Sequence, residues 1–477
     1  MNKPLIFRIL MIGGVILLLW VALQMVLGIV RERGSYRDEA ERSIWQSYAG
    51  PQTLTGPIIV VPYKEVIAVP PSAEQASSQS SNPAPVRFAP ATTYREEMHN
   101  LLVFPENLQV RTVVTPSERY RGIHKTIVYE TASELSGTIE LPDPKSTADL
   151  TESTNHVRFE LGQPYVVVGV TDMRGLVSDP VIQVGGTSLP MVQGTRLSSL
   201  PQGLNARIDA SGMAGKPAAA RIVPFSMKLT VLGAQSMAIT PVAGLNQFSM
   251  QSPWPHPSFD GDFLPRQRTV STDGFRADWS ITSFNTRVSD QLASARPVSE
   301  LQSASVTLME PVNIYVQAER AVKYGLLFVL LTFAGLYLFE LVKTLRIHPI
   351  QYLLAGLALA MFFLLLVSLS EHVTFVVAYL VASAACIGLL GFYLTFVLRS
   401  WQRGLGFATL LTVLYGALYG LLVSEDNALV LGTALLFVTL VVIMAVTRKV
   451  DWYTVGMPAT SAPLPQAGEG PGGRADG

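Results

Sequence analysis

Cysteine is almost missing from this 477-residue chain: Cys386 is the only one. No disulfide can form within the chain, so any folded domain is held by packing alone. Charge is scarce as well. Asp, Glu, Lys and Arg make up 15% of residues, with 35 basic and 35 acidic side chains in balance. No Lys/Arg stripe interleaved with aromatics occurs, which excludes a nucleic-acid partner. The six histidines, His99, His124, His156, His256, His348 and His372, are scattered without H-E-x-x-H spacing, so no metal site is legible. G-x-S-x-G and G-x-x-x-x-G-K-[ST] are both absent. Gly215-Lys216 is followed by Pro217, which has no hydroxyl to offer Mg²⁺. No catalytic residue, metal or cofactor is assigned, and the expectation is a protein that is not an enzyme.

What is abundant is apolar sequence, 49% of the chain, and it is concentrated in long runs. A bilayer core of about 30 Å takes roughly 20 apolar residues in helical form, because backbone groups in lipid must bond within their own segment. Ile9 to Val30 meets that length. A signal peptide is the rival reading, but the run is long and is followed by Arg31, Glu32 and Arg33 rather than a small-residue cleavage site, which favours an uncleaved anchor. Further runs extend from Tyr324 to Val342, Tyr352 to Leu369, Val373 to Leu398, Leu405 to Val423 and Ala428 to Val446. The expectation is six transmembrane helices, one N-terminal and five C-terminal.

Loop charges set the predicted orientation. Lys3 and Arg8, Lys343 and Arg346, Arg399 and Arg403, and Arg448 and Lys449 mark cytoplasmic connections. The alternate loops hold Glu371 with His372 and Glu425 with Asp426, and carry no Lys or Arg. Strict alternation puts both termini in the cytoplasm and the segment between the first two spans on the far side.

That segment opens with an Arg- and Glu-rich stretch, Arg31 to Gln46, which reads as a short amphipathic stalk whose Ile44, Trp45 and Tyr48 would lie near the headgroups. Strand-like runs follow at Pro57 to Val61, Thr126 to Tyr129, Val157 to Leu161, Tyr165 to Val170, Met227 to Leu232 and Trp279 to Phe284. Alternation in Val157, Phe159 and Leu161, and in Met227, Leu229 and Val231, has the period of a half-buried strand. A β-rich, sandwich-like domain is the simplest account.

Two groups of residues are candidate functional sites. In the stretch Trp254 to Phe263, Trp254, His256, Ser258 and Asp260 bring an imidazole, a hydroxyl and a carboxylate close in sequence. A metal or catalytic loop is imaginable there, but the favoured reading is an ordered loop in which Trp254 and Phe259 pack on the sheet and Asp260 bonds the turn. In the apolar part, Glu340, Glu371 and His372 are membrane polar residues of the kind that mark ion or substrate paths. Each lies near an interface, where snorkelling to water is the simpler reading. Glu319, Arg320 and Lys323 form a charge cluster before the second span, read either as a juxtamembrane collar or as plainly solvated charge.

Several strings resemble the CreD family of bacterial inner-membrane proteins: Gly50-Pro51-Gln52-Thr53-Leu54-Thr55-Gly56-Pro57 leading to Val60-Val61-Pro62-Tyr63, the Trp254 to Phe263 loop, Glu319-Arg320-Ala321-Val322-Lys323-Tyr324, Ile347-His348-Pro349-Ile350-Gln351-Tyr352-Leu353-Leu354 and Ser368-Leu369-Ser370-Glu371-His372. The likeness covers nearly the full length, apart from the Ser/Pro-rich stretch after Pro70 and the Gly/Pro-rich tail. It implies a role in cell-envelope integrity and in the response to envelope or β-lactam stress, with no catalytic residues to carry over. The resulting expectation is an α+β membrane protein of the bacterial inner membrane. Its parts are a cytoplasmic N-terminus at 1–8, an anchor helix at 9–30 and a periplasmic β-rich domain at 31–323 with a disordered loop at 71–90. A five-helix bundle at 324–446 and a cytoplasmic tail at 447–477, disordered from about 458, complete it. Expected partners are membrane lipids and periplasmic or inner-membrane proteins; transport or channel activity is the alternative function.

Overall fold

A computed structural model describes residues 3–69, 93–143, 150, 152–218, 221–310, 314–343, 347–424 and 427–448. The loop expected at 71–90, the tail from about 458, and Arg346, Glu425, Asp426 and Lys449 of the loop charge pattern lie outside them. The chain divides into two compact units, Met1–Tyr36 with Val312–Gly477, and Arg37–Pro311.

The first unit is helical. α1 (Lys3–Ser47) is an unbroken helix of 45 residues whose first part belongs to this unit. After α2 (Val288–Ala293), a single short turn of helix in the other unit, come α3 (Ile314–Lys323), α4 (Gly325–Lys343), α5 (Pro349–Ser370), α6 (Phe375–Val397), α7 (Trp401–Val423) and α8 (Ala428–Thr447). Among the described residues five helices are long and apolar enough to cross a membrane, and α3 with α4, bent by 43° at their junction, raises that to as many as 6. The start of α5 is built by its own sequence: His348 caps it by accepting from the Ile350 N–H, Pro349 stands where a helix needs no donor, and the Gln351 side chain accepts from the His348 N–H. Along α5, Tyr352, Ala355, Leu359, Phe362, Phe363 and Leu366 are buried at helical spacing. Phe362 meets Tyr415 at 4.7 Å and Tyr379 at 5.5 Å between ring centroids, and Phe328 meets Tyr415 at 4.6 Å. Gly356 lets Leu19 of α1 approach where a Cβ would stand.

The second unit is two sheets. Its strands are β1 (Gln52–Val69), β2 (Thr93–Val103), β3 (Pro105–Arg121), β4 (His124–Glu140), β5 (His156–Leu161), β6 (Tyr165–Val170), β7 (Val181–Val184), β8 (Thr187–Pro190), β9 (Val192–Gln193), β10 (Gly203–Arg207), β11 (Ile222–Ala234), β12 (Ser236–Thr240), β13 (Leu245–Ser252), β14 (Pro257–Gly261), β15 (Gln267–Ser271), β16 (Gly274–Thr282) and β17 (Ala304–Leu308). A nine-stranded sheet runs β14-β17-β12-β1-β6-β10-β9, with β2 and β5 also on β1; an eight-stranded sheet runs β15-β16-β13-β3-β4-β11-β7-β8. Most pairings are antiparallel, but β1 runs parallel to β12 and β3 to β13. Alternation explains the faces: in β11, Phe225, Met227, Leu229 and Val231 are buried while Lys228 faces water. One continuous core takes Ile58, Val60 and Val167 from the first sheet and Val110, Leu229, Phe248 and Trp279 from the second. Each expected strand-like run falls within a strand except at Ser283 and Phe284, which begin a turn after β16, where Phe284 is 97% exposed.

The stalk expected at Arg31 to Gln46 is the continuation of α1. Its apolar edge is taken up by the sheet: Ile44 is buried with Val128 and Ala234, and the Trp45 indole N–H donates to Thr126 Oγ1 at 3.4 Å.

Candidate functional site

The Trp254 to Asp260 stretch leads into the edge strand β14, paired with β17. Trp254 donates its indole N–H to the Met309 carbonyl at 2.9 Å, while the His256 carbonyl accepts from the Met309 N–H at 3.0 Å. Ser258 donates to Asp260 at 2.9 Å. Phe259 packs edge-on to Phe275 at 5.8 Å and to Trp279 at 6.2 Å. The His256 ring is exposed and stands 6.4 Å from the Trp254 ring. The four predicted residues therefore lie along one strand edge. Ser258 and Asp260 share a hydrogen bond, but the imidazole is not brought onto the carboxylate.

The membrane polar residues separate. Glu340 is buried within the helical unit, 6% exposed, and accepts from the Tyr352 hydroxyl at 3.1 Å; it is packed inside rather than reaching out to water. Glu371 caps the end of α5, where it accepts from the Tyr315 hydroxyl at 3.2 Å and pairs with Arg33 at 3.9 Å. Nearby in the same unit, Glu319 pairs with Arg31 at 3.2 Å and with Lys323 at 3.3 Å. The Arg31–Glu319 pair joins α1 to α3, and Lys323 meets the same carboxylate from one turn along α3, so the three charges form a collar. His372 is exposed.

A cluster that spacing in the sequence does not reveal stands on the second half of β1. Glu65 is 1% exposed although it carries a carboxylate. Strand register places Tyr63 opposite His99 and Glu65 opposite Glu97 on β2, and Glu65 opposite Phe159 and Ile67 opposite His156 on β5, after a bulge at Val66/Ile67. The side chains of Tyr63, Glu65, Glu97, His99, His156 and Phe159 therefore share one face. The Glu65 carboxylate accepts from the Ser153 N–H at 2.7 Å and the Ser153 hydroxyl at 2.9 Å. Those bonds, the backbone one first, and the nearby imidazoles hold its pKa below the ordinary carboxylate value, against the opposing effect of burial. His99 Nε2 lies 3.6 Å from Glu65 Oε2 and 3.5 Å from Glu97 Oε2; His156 Nδ1 lies 3.5 Å from Glu65 Oε1. His99 stacks on Tyr63 at 5.3 Å and His156 on Phe159 at 4.0 Å. Of the six histidines read as scattered, two thus converge on one carboxylate. The legible signal was the period of two in Tyr63-Lys64-Glu65 and Glu97-Met98-His99, which on strands means one face; helix-type motif spacing cannot register it. Glu65, Glu97 and His99 have the donor types and separations to hold a cation.

The Gly50 to Pro57 string is also accounted for by packing. Gln52, 1% exposed, donates to the carbonyls of Asp172 at 3.0 Å and Leu232 at 2.8 Å and accepts from the Asp172 N–H at 3.1 Å. The Asp172 carboxylate accepts from the Gly50 N–H at 3.1 Å.

Residues 4–453 match the family described as inner membrane protein CreD. Inner membrane protein CreD of Escherichia coli (strain K12) is 33% identical over 464 residues, 97% of each chain. Among solved structures, an M1 zinc metallopeptidase from Deinococcus radiodurans matches 43% of this chain and 42% of its own at 9% identity, with a TM-score of 0.21. Leukotriene A4 hydrolase from Saccharomyces cerevisiae matches 43% of this chain and 30% of its own at 11% identity and a TM-score of 0.20. Structural likeness of that size carries no argument about fold or chemistry. The sequence match spans nearly the whole chain and agrees with the set of apolar helices: the chain belongs to the CreD family and is a multi-pass protein of the inner membrane.

Proposed function

We propose that the protein is a non-enzymatic inner-membrane component that supports cell-envelope integrity and the response to envelope or β-lactam stress, its β unit acting as a periplasmic binding or scaffolding module. In this reading six spans cross the membrane and both termini are cytoplasmic. The observation that carries it is the insertion of a large two-sheet unit between the first apolar helix and the remaining ones. The ion pairs of Arg31 and Arg33 with Glu319 and Glu371 support it, because they put the exit of α1 and the α5–α6 turn at one end of the helical unit, as alternation of six spans requires of two segments on the same side. The test of placement is labelling in intact spheroplasts by a membrane-impermeant maleimide, with Thr269→Cys in a Cys386→Ser background. Thr269 is exposed on β15, and labelling only after lysis would sink the reading. The test of role is crosslinking from the β unit under β-lactam stress, where recovery of envelope-assembly proteins must disappear when residues 37–311 are removed.

A second reading, a transporter or channel component, is favoured by the buried Glu340–Tyr352 pair. Glu340→Gln separates the two: loss of envelope phenotype with the fold intact favours transport, and an unchanged phenotype favours the scaffold.

A further inference from the structure

The geometry points to a divalent transition-metal site on the β unit, with Glu65, Glu97 and His99 as ligands and His156 with Ser153 positioning Glu65. This inference is independent of the proposed scaffolding role. Four observations converge on it. First, the ligand atoms of Glu65, Glu97 and His99 lie within 4.8 Å of one another. Second, His99 Nε2 stands 3.6 and 3.5 Å from the two carboxylate oxygens. These separations are longer than a good hydrogen bond. They are close to the edge of a tetrahedron around a metal with ligand bonds of about 2.0–2.1 Å, an edge of about 3.3–3.4 Å. Third, His99 Nε2 is shut off from solvent and has no hydrogen-bond partner among the described residues, although buried imidazole nitrogens ordinarily find one. Fourth, the two carboxylates bring negative charge that Arg95, on Glu97 alone, offsets only in part, and a divalent cation would balance the remainder.

The surroundings favour a fixed site. Tyr63 and Phe159 wall the two imidazoles, Ser153 fixes both Glu65 oxygens, and the Arg95 guanidinium holds the other oxygen of Glu97, leaving Oε2 turned inward. Lys64 is turned away, paired with Glu96 and Glu160. Mixed imidazole and carboxylate donors select metals such as Zn²⁺ over Mg²⁺ or Ca²⁺. Three protein ligands leave the fourth position to water or an incoming donor. A bound cation would tie β1 to β2 near the middle of their shared ladder.

The test is titration of the metal-stripped full-length protein in detergent with Zn²⁺, followed by calorimetry, and with Co²⁺, followed by its visible absorption. The expected result is one equivalent of Zn²⁺ bound and a tetrahedral Co²⁺ spectrum that Zn²⁺ displaces. His99→Ala and Glu65→Gln should abolish both signals, while Ser153→Ala, which removes only the hydroxyl bond to Glu65 Oε2 and keeps the backbone one, should weaken binding about 10–100-fold. His256→Ala, on the exposed edge strand, should leave binding unchanged. Absence of binding by the wild-type protein, an octahedral Co²⁺ spectrum, or binding indifferent to His99→Ala overturns the proposal. The Co²⁺ spectrum is read on the unaltered chain, so a misfolded variant cannot mask the answer.

Discussion

The two units bury their cores for different reasons, and their side chains differ accordingly. In the β unit the core is dominated by branched aliphatics such as Ile58, Ile59, Val60, Val166, Val167 and Val168, which fit a pleated surface and are driven out of water. In the helical unit the centre is aromatic, with Phe328, Phe362, Tyr379 and Tyr415 in edge contacts, and large apolar residues such as Leu380, Phe392 and Phe437 face outward. Lipid is as apolar as the core there, so burial drives little, and shape and polar contacts set the packing. Buried polar groups follow the same division. Gln52 bonds backbone of the distant loop at Asp172 and of strand β11 at Leu232, whereas Thr332 and Ser383 bond carbonyls one turn back on their own helices.

The largest effect expected from this contrast is in core truncation. Phe248→Ala in the β unit should cost about 3–5 kcal/mol, since it loses both transfer free energy and packing. Phe362→Ala, at least as buried, should cost less, because only the cavity and the lost contacts remain when the unfolded reference is itself apolar. Hydrogen exchange of amides in each unit, in the same detergent-solubilised protein under increasing urea, measures both. Equal costs would break the comparison.

Next come the buried polar contacts. Gln52→Ala leaves the Leu232 and Asp172 carbonyls without that partner and should cost about 1–3 kcal/mol. Tyr379→Phe removes the bond from its hydroxyl to the Tyr415 carbonyl at 2.6 Å, and should cost about 0.6 kcal/mol, as intramembrane hydrogen bonds do. The same exchange experiment reads each in its own unit.

The division also explains what the sequence could tell. Membrane helices announce themselves by the length of an apolar run alone, so the reading from Tyr352 to Leu369 and the helix Pro349–Ser370 nearly coincide. Strands announce only their most apolar stretch: Thr126 to Tyr129 stood for a strand that continues to Glu140, because Glu130 and Glu134 on its wet face interrupt the run. β3 was invisible for the same reason, with Arg111, Pro116 and Glu118 in its length. At Trp254 the prolines and aromatics suggest an ordered loop packed on the sheet; Phe259 does pack there, but Pro257–Gly261 is an edge strand paired with β17, because its partner strand lies far along the chain. The Glu65 cluster was not legible, because residues far apart in the chain meet only through the register of β2 and β5 on β1.

A pH experiment sharpens the comparison on the β side. The Arg174 side chain first of all, then the Gly50 and Arg174 N–H groups, hold the Asp172 carboxyl below its ordinary value, outweighing burial. A depressed folded value means that this stabilisation is fully present above the unfolded value of about 4 and is lost as pH falls through the folded one. Asp172→Asn should therefore destabilise the β unit by about 1 kcal/mol at pH 7, and the difference from wild type should shrink toward zero in strong acid. A gap that persists unchanged at pH 2 would mean that Asp172 acts by shape rather than by charge.

The smallest effect belongs to the collar, and it separates position from energy. Arg31 and Glu319 are 61% and 29% exposed as side chains, so Arg31→Ala should change the stability of the helical unit by less than about 1 kcal/mol. Arg37, at 17% exposure, pairs with both Glu41 and Glu310 in the β unit, where burial has already raised the Glu41 pKa in spite of Arg37. Removing Arg37 leaves the partly buried Glu41 without its cation and Glu310 with Lys125 alone, so Arg37→Ala should cost more than Arg31→Ala. Salt gives an independent reading: 0.5 M NaCl should erase most of the Arg31 effect and little of the Arg37 effect, because screening reaches exposed pairs first. If the two substitutions respond alike to salt, the collar is better shielded than its exposed surface indicates, and it then holds α1 against α3 by more than proximity.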